Sequence, residues 1–453
     1  MSKYSLLITH FCFYQPVTDM QDLSAPTNRR IFLKQAATLS AFYIVPRHVL
    51  GRGFLAPSDQ VTVGFIGLGK QCGGLRNQFL KNDARVIAAC DVDQPKMAVF
   101  SEAVNKFYAD KADKAAYDGC RHYDDYRALL NNKSIDAVVI ATPDHWHSPI
   151  AIAAAKAGKD IYCEKPLSLT IQEGRDMVNA TRKNKRVFQT GNMQRSWKEF
   201  RQAVELVRNG YIGQLKTINV NVGGPPHDFD LSAEPIPAGL NWDAWLGPNT
   251  IERPYNNVLD PSLTATFWGK WRDIRDFGGG GMTDWGAHMF DIAQWGLDMD
   301  NSGPVELTVS TDRSATDGKR LIYKYASGVE MHHTPVEGKQ FCQFIGTEGD
   351  VKVARGELTT TPETLKDKII GEHEKHVYFS DNHYKDFLDA IRSRKNPISD
   401  VEIGHRTASV CSLGNIAYQL GQSLRWDPAK EKFENNAEAN RLLSRPMRTK
   451  WTA

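Results

Sequence analysis

The chain has 453 residues, 41% hydrophobic and 24% charged, and its 56 Lys+Arg against 53 Asp+Glu give a formal net charge of +3. At roughly 100–200 residues per domain this length predicts two or three domains, and the composition is that of a soluble globular protein, which excludes a disordered or membrane-embedded chain. So even a charge balance argues against nucleic acid as a partner, because displacing counterions from phosphates takes a basic face.

Asn28-Arg-Arg-Ile-Phe-Leu-Lys34 precedes a weakly apolar stretch at residues 35–45. Paired arginines, then Phe-Leu-Lys and a modest hydrophobic region, resemble a twin-arginine export signal; a basic amphipathic helix at a disordered terminus is the bland alternative. Residues 1–57 are therefore assigned to signal and linker, and the protein to the periplasm. The segment ahead of Arg29 is long, which makes Met20 an alternative start, and no clean small-x-small cleavage site follows. Nothing further along approaches the ~18 uninterrupted apolar residues of a membrane span.

Val61-Thr-Val-Gly-Phe-Ile66 is a short apolar strand running into Gly67-Leu68-Gly69-Lys70-Gln71-Cys72-Gly73-Gly74, with a helical stretch over residues 75–81. Strand, Gly-rich turn and helix form the pyrophosphate cradle of a Rossmann unit, so Gly67, Leu68 and Gly69 are candidate cofactor contacts. Gly67 permits the tight turn, Gly69 lets the backbone approach phosphates, and the helix start offers free N–H groups to negative charge. Cys72 stands where the third glycine of the fingerprint belongs. The next apolar strand ends at Asp91, 22 residues beyond Gly69. An acid at about that distance accepts from the adenosine ribose hydroxyls and repels a 2′-phosphate, which favours NAD over NADP. Asp93 either shares that role or caps a helix over residues 94–106.

Strands at 135–140, 160–163 and 186–190 then alternate with helices at 148–157 and 170–184, the pattern of a doubly wound parallel sheet. Ligands of such sheets sit at the carboxyl ends of the strands, where Thr142, Glu164 and Asn192 fall. His147, in a loop beyond a strand end, is a candidate to line the cofactor or substrate site, with His145 exposed to solvent. Asn192, Gln194 and Arg195 are within reach of the nicotinamide or substrate, the alternative being loop hydrogen bonding.

Three motifs in register, Ala141-Thr-Pro-Asp-His-Trp-His147, Glu164-Lys165-Pro166 and Asp284-Trp-Gly-Ala-His288, resemble the glucose–fructose oxidoreductase and inositol dehydrogenase (Gfo/Idh/MocA) family. The resemblance runs from about Ser58 to the C-terminus, and the tail from Trp426-Asp427-Pro428 to Arg445-Pro446 is similar to the exported bacterial subgroup. It implies that Lys165 touches the substrate hydroxyl beside the nicotinamide, that Glu164 holds the nicotinamide ribose, and that Asp284 and His288 form a substrate-side pair with His288 the general base. Hydride transfer from a secondary carbinol does need a base for the hydroxyl proton, and imidazole suits it near neutral pH. Asp284 and His288 stand i and i+4 on an expected helix and so share a face; the glycines at 278–281 give the backbone freedom to bring that helix end close to a ligand. Surface helix pairing, and a plain turn at Lys165-Pro166, are the alternatives.

Residues 58–195 are thus assigned to an NAD-binding Rossmann domain and 196–453 to a substrate-binding and oligomerisation α+β domain. In the latter, strands at 215–222, 305–310, 321–325, 329–333 and 341–345 without intervening helices predict an open, mainly antiparallel sheet. The loop over residues 223–281, carrying Trp242, Trp245, Trp268 and Trp271, is read as a lid over the substrate. Ten tryptophans are a slight excess; Trp stacks on sugar rings, although most of it fills cores. The seven cysteines are scattered, with no paired short spacing, which points to neither disulfides nor a metal site.

The resemblance implies a sugar or cyclitol substrate and a homodimer or homotetramer. The periplasm lacks a replenished nicotinamide pool, so an exported NAD enzyme must keep and regenerate its cofactor. Two reactions satisfy that: a sugar or glycoside oxidoreductase with internally recycled cofactor, or a redox-neutral glycosidase that oxidises carbon 3, eliminates the aglycone, adds water and reduces the ketone. A non-catalytic sugar-binding protein on the same fold is the third reading; loss of Lys165 or His288 would mark it, and neither is lost.

Overall fold

The computed structural model describes residues 60–310, 321–335 and 338–451; the twin-arginine candidate at residues 28–34 lies outside them. Its first sheet contains β1 (Thr62–Ile66), β2 (Arg85–Cys90), β3 (Arg121–Tyr123), β4 (Ala137–Ile140), β5 (Asp160–Cys163) and β6 (Phe188–Thr190), in the spatial order β3-β2-β1-β4-β5-β6. Every pairing is parallel. This is the doubly wound order of dinucleotide-binding domains, whose direction reverses between β1 and β4 and opens a crevice there. β4 and β5 are buried along their whole length, as parallel strands covered on both faces must be.

The covering helices include α1 (Lys70–Lys81), α2 (Gln94–Lys111), α3 (His147–Lys156) and α4 (Ile171–Lys183). Two apolar clusters, one around Phe65, Phe79 and Phe100 and one around Ile66, Ile140 and Ile161, fill the space on either side. α2 is capped by Asp93, whose side chain accepts from the Lys96 amide. α4 begins with a reciprocal capping box between Thr170 and Glu173. Short β3 and a one-turn helix at Tyr126–Leu130 complete this half. Neither is legible by periodicity, because both are only a few residues long.

The second sheet has nine strands in the order β13-β12-β11-β7-β10-β9-β8-β14-β15. They are β7 (Leu215–Asn221), β8 (Glu306–Val309), β9 (Leu321–Lys324), β10 (Glu330–His333), β11 (Phe341–Gly346), β12 (Asp350–Ala354), β13 (Glu357–Thr361), β14 (Leu424–Asp427) and β15 (Lys432–Phe433). All pairings are antiparallel except β7 with β10. The last four strands were not expected; each is short, and two join through tight turns. Buried positions alternate along β7 to β12, so one face carries the core. On that face lie α5 (Lys198–Arg208), α6 (Gly286–Gly296) and α7 (Val401–Leu420). α7 is buried nearly all round because it packs on both α4 and α6. Gly404 and Gly414 permit this: a Cβ there would meet Thr190 Oγ1 and Met282 Cε at 2.1 and 2.2 Å.

The loop after β7 is not a structureless lid. Trp242 and Trp245 stack with centroids 4.5 Å apart and, with Leu246, Tyr255, Leu259, Ile274 and Phe277, form a small core of their own. Its later part, with Trp268 and Trp271, is turned to the ligand cleft, which Gly239, Asn241, Ala244 and Trp245 of the earlier part also line. The six described cysteines are free and buried. Among the described residues no helix is long and apolar enough to cross a membrane.

Candidate active site

A cleft of about 970 Å³ runs along the carboxyl ends of β1, β2, β4 and β5 and is roofed by the loop after β7. At its centre β1 turns through Gly67, held at φ +84°, where a Cβ would lie 2.6 Å from the Thr142 amide nitrogen. Only glycine fits that corner. Gly69 is different. Its φ is ordinary and an added Cβ would meet nothing within 4 Å, so the fold does not require glycine there. The room it leaves lies at the first turn of α1, where Gly69, Lys70 and Gln71 line the cleft, the setting in which a helix start receives a pyrophosphate.

Asp91, at the end of β2, accepts from the Leu68 amide at 2.6 Å and the Asp93 amide at 2.9 Å. It therefore ties the Gly-rich turn to β2 while lining the cleft. Burial raises its pKa to about 6, with the Lys96 charge opposing. Lys96 is itself buried and ion-paired with Asp260 and Asp93. Asp260 comes from the loop after β7 and keeps a buried carboxylate oxygen without a partner. Beyond Asp91 the cleft ends on Tyr126, Trp146 and Trp451. Trp451 is brought back by the C-terminal tail, which Arg445 fastens to Glu173 (2.8 Å) and Arg448 to the Gly247 carbonyl (2.6 Å).

At the other end stand Glu164, Lys165, Asp284 and His288. Lys165 Nζ donates to Asp284 Oδ1 at 2.6 Å and to the Asp284 carbonyl at 2.9 Å. Burial works against the Asp284 carboxylate, but Lys165 and then Arg272, whose Nε is 3.6 Å away, offset it and hold its pKa below the ordinary value. His288 is buried and its Nδ1 has no partner. Burial, then the charges of Lys165 and Arg355, push its pKa well down, so the ring is neutral. Glu164 is raised by burial, against Lys165 and a hydrogen bond from Gln71. Asp284 and His288 do not share one unbroken helix: Asp284 ends a single turn, Gly281–Asp284, and Trp285 separates it from α6. Nor do the glycines at 278–281 serve a ligand first. A Cβ on Gly280 or Gly281 would lie 2.6 Å from the Pro226 nitrogen or the Gly223 Cα, so the run lets two backbone segments touch.

Other expected residues are spent elsewhere. His147 does not line the cleft: Nδ1 lies 2.8 Å from the Pro166 carbonyl and Nε2 3.0 Å from that of Thr142, which joins two strand-end loops. His145 is fully buried rather than exposed, with Nε2 2.9 Å from the Trp245 carbonyl. Asn192 donates to the Ala287 carbonyl at 3.2 Å and so steadies the turn before His288. Arg195 is buried in a double fork with Asp291 and Asp300. Thr142 does line the cleft, and its buried Oγ1 is unpartnered. No local pattern marks Arg272, Arg355, Asp260 or Trp451, which come from a short 3-10 helix, a hairpin turn, an irregular loop and the tail.

Open space at Gly69, the unpartnered Thr142 Oγ1 and Asp260 Oδ2, and the length of the cleft all fit a dinucleotide. The comparison of sequences agrees. Residues 61–192 match the model of the Gfo/Idh/MocA oxidoreductase family's NAD-binding Rossmann fold, and residues 225–453 that of its C-terminal alpha/beta domain. The chain belongs to the Gfo/Idh/MocA family. It is 33% identical over 210 residues, 42% of this chain and 44% of the other, to an alpha-N-acetylgalactosaminidase of Shewanella oneidensis. It is 27% identical over 246 residues, 52% of each chain, to a glycosyl hydrolase family 109 protein of Stenotrophomonas maltophilia. The chain thus spans about half or less of the length of these curated relatives. Among solved structures it shares its fold with the WlbA dehydrogenase of Bordetella pertussis in complex with NADH and UDP-GlcNAcA, at 15% identity and TM-score 0.56 over 81% of this chain and 99% of that one. This Gfo/Idh/MocA protein therefore carries an NAD-binding Rossmann domain beside a mainly antiparallel sheet, with the site residues between them.

Proposed function

We propose that the protein oxidises a secondary hydroxyl of a sugar or glycoside and keeps and recycles its NAD. The observation that carries this reading is the Lys165–Asp284 pair beside neutral His288, at one end of a cleft whose middle is the Gly67–Gly69 turn. Gly67, Leu68, Gly69 and Thr142 would hold the dinucleotide, Asp91 its adenosine ribose and Glu164 its nicotinamide ribose. Bound NAD supplies the hydride acceptor. Two of the three Lys165 N–H groups are taken by Asp284, which leaves one to donate to the carbinol oxygen and stabilise the negative charge that develops as its proton leaves. Neutral His288 has the lone pair to take that proton. Asp284 keeps Lys165 aimed.

The redox-neutral glycosidase is the second reading, and the names of the relatives favour it. The same oxidation at carbon 3 acidifies the carbon 2 proton, after which elimination of the aglycone, addition of water and return of the hydride close the cycle. Both readings suit an exported enzyme, and we assign residues 1–57 to a twin-arginine signal and linker on Arg29 and Arg30, and the protein to the periplasm as a homodimer or homotetramer.

Incubating the protein as purified, without added nucleotide, with a glycoside panel in heavy water separates the two. A freed sugar with deuterium at carbon 2 means the glycosidase. An intact 3-keto glycoside or lactone, formed until the bound cofactor is spent, means the oxidoreductase. No product of either kind from any sugar refutes both.

A further inference from the structure

The substrate end of the cleft holds three cations, Lys165, Arg272 and Arg355, around one low-pKa carboxylate, Asp284. Lys165 and Arg272 both contact that carboxylate. Arg355 does not. Among the described residues it has neither an ion pair nor a hydrogen bond, and its Nε is buried without a partner. It is nevertheless held in place. Arg355 and Gly356 form the two-residue turn between β12 and β13, with Gly356 at φ +69° taking the corner. The Gly356 amide donates to Glu199 Oε1 on α5 at 3.0 Å. The guanidinium carbon sits 4.5 Å from the Trp285 ring centroid and 5.5 Å from that of Trp197.

Indole contacts occupy the face of a guanidinium and leave its N–H edges for a ligand. Two carboxylates, Asp284 and Glu164, lie near enough for their charge to reach Arg355, but neither forms an ion pair or hydrogen bond with it, and Asp284 is already shared by two other cations. A fixed arginine whose edges meet no protein acceptor is built to receive an anion. We infer that the sugar or glycoside substrate carries an anionic group, a carboxylate or a sulfate ester, and that Arg355 binds it through a two-pronged hydrogen bond. This rests on the sugar-directed reading above and narrows its substrate class. The loop that carries Trp268 and Trp271 stacks both rings on Arg272 (4.2 Å for Trp271), so Arg272 is committed to the roof and to Asp284, and the anion falls to Arg355.

The test is calorimetric titration of the enzyme as purified with matched methyl glycosides in gluco and galacto series, each as the neutral sugar, the 6-carboxylate and the 6-sulfate. The expected result is that one charged form binds at least about tenfold tighter than its neutral partner, since a charge-assisted fork supplies that much, and that the preference shrinks as salt is raised. Arg355→Met should bring the charged and neutral forms to within about threefold, and Arg355→Lys should keep part of the preference. Whether the carboxylate or the sulfate series shows the effect identifies the group. Equal binding of neutral and charged sugars by the unaltered enzyme, or a preference that survives in Arg355→Met, overturns the inference while leaving the sugar reading standing. Failure of every sugar to bind an enzyme that still contains its nucleotide refutes the sugar reading itself.

Discussion

Lys165 and Asp284 lie 119 positions apart in the chain, yet the lysine nitrogen is bound twice by that one aspartate, through its carboxylate at 2.6 Å and its carbonyl at 2.9 Å. The contact joins the end of β5 to the turn before α6. In the proposed reaction it fixes the lysine donor beside the carbinol oxygen. Lys165→Met removes the donor while leaving a side chain of similar length, and should lower turnover about 10²–10⁴-fold without loss of bound nucleotide. Asp284→Asn keeps an acceptor for Lys165 and should cost less. Steady-state rates read beside nucleotide content by absorbance decide it; turnover within a factor of a few of the original would remove Lys165 from the mechanism.

Gly67 and Gly69 are glycines for different reasons, and alanine separates them. Gly67→Ala forces a Cβ into the Thr142 backbone at positive φ and should destabilise the fold by about 2–4 kcal/mol. Gly69→Ala meets nothing in the protein, so the melting temperature without nucleotide should hold while NAD affinity falls by about tenfold or more, because the close approach of backbone to phosphate is lost. Paired thermal melts and nucleotide titrations check both. Normal NAD binding by Gly69→Ala would mean that the pyrophosphate lies elsewhere.

Asp91 ties down the Leu68 amide and, on the proposed reading, also receives the adenosine ribose, so its variants should show both effects. Asp91→Ala removes the proposed acceptor for the ribose and also the tie to the Leu68 amide. NAD affinity should therefore fall, and selectivity for NAD over NADP should shrink by at least about tenfold as the repulsion of the 2′-phosphate goes. Asp91→Asn retains an oxygen for the Leu68 amide but not the charge, so it should lose selectivity more than affinity. Dissociation constants for both nucleotides suffice, and unchanged selectivity in both variants would reassign the ribose.

How much of this could be read beforehand follows from what kind of information each residue carries. Gly67 and Asp91 belong to a local spacing pattern tied to strand ends, which periodicity locates. Lys165 and Asp284 are singled out by the resemblance to the family, and Asp284 stands on a single helical turn, not at a strand end. His147 and Asn192 sit at strand ends too, but the direction of a side chain is set by tertiary packing; both turn to backbone carbonyls of neighbouring loops instead of the cleft. Arg195 looks like a ligand-binding residue until Asp291 and Asp300, far along the chain, are seen to neutralise it. Arg355 and Trp451 reach the cleft from a hairpin turn and the tail, through contacts that no local pattern encodes. The same holds for the tryptophans of the long loop. Spacing does not distinguish Trp242, which is spent in a core, from Trp268, which lines the cleft, or from Trp245 and Trp271, which do both.

Trp451 closes the cleft beyond Asp91, 5.3 Å from the Trp146 ring and beneath the Arg127 guanidinium. Its indole nitrogen is buried without a partner. Trp451→Ala should open that end and speed nucleotide release about tenfold, the weight of one aromatic stacking contact, with little change in turnover while nucleotide is present in excess. Stopped-flow displacement of bound NADH, followed by its fluorescence, gives the rate. Release as slow as in the unaltered protein would show that the tail does not retain the cofactor.

His145 offers a test of folding rather than chemistry. It is fully buried against Trp245 and Phe277, and burial lowers its pKa to about 3. The unfolded chain takes up a proton on this ring near pH 6.5, whereas the folded protein does not until far lower pH. The unfolded state therefore binds more protons in between, and the contribution is fully present above about pH 6.5 and is lost as pH falls toward the folded pKa. The slope is about 1.4 kcal/mol per pH unit for one such group. Raised carboxyls such as Asp91 and Asp144 act with the opposite sign in part of that window, so the comparison must be made between proteins that share them. His145→Gln can still donate to the Trp245 carbonyl but cannot be protonated. Between pH 6 and pH 4 its unfolding free energy, from urea titrations, should fall less steeply than that of the unaltered protein by about 1.4 kcal/mol per pH unit, while above pH 7 the two slopes coincide. Equal slopes throughout would mean that His145 is protonated in the folded protein or is reached by water.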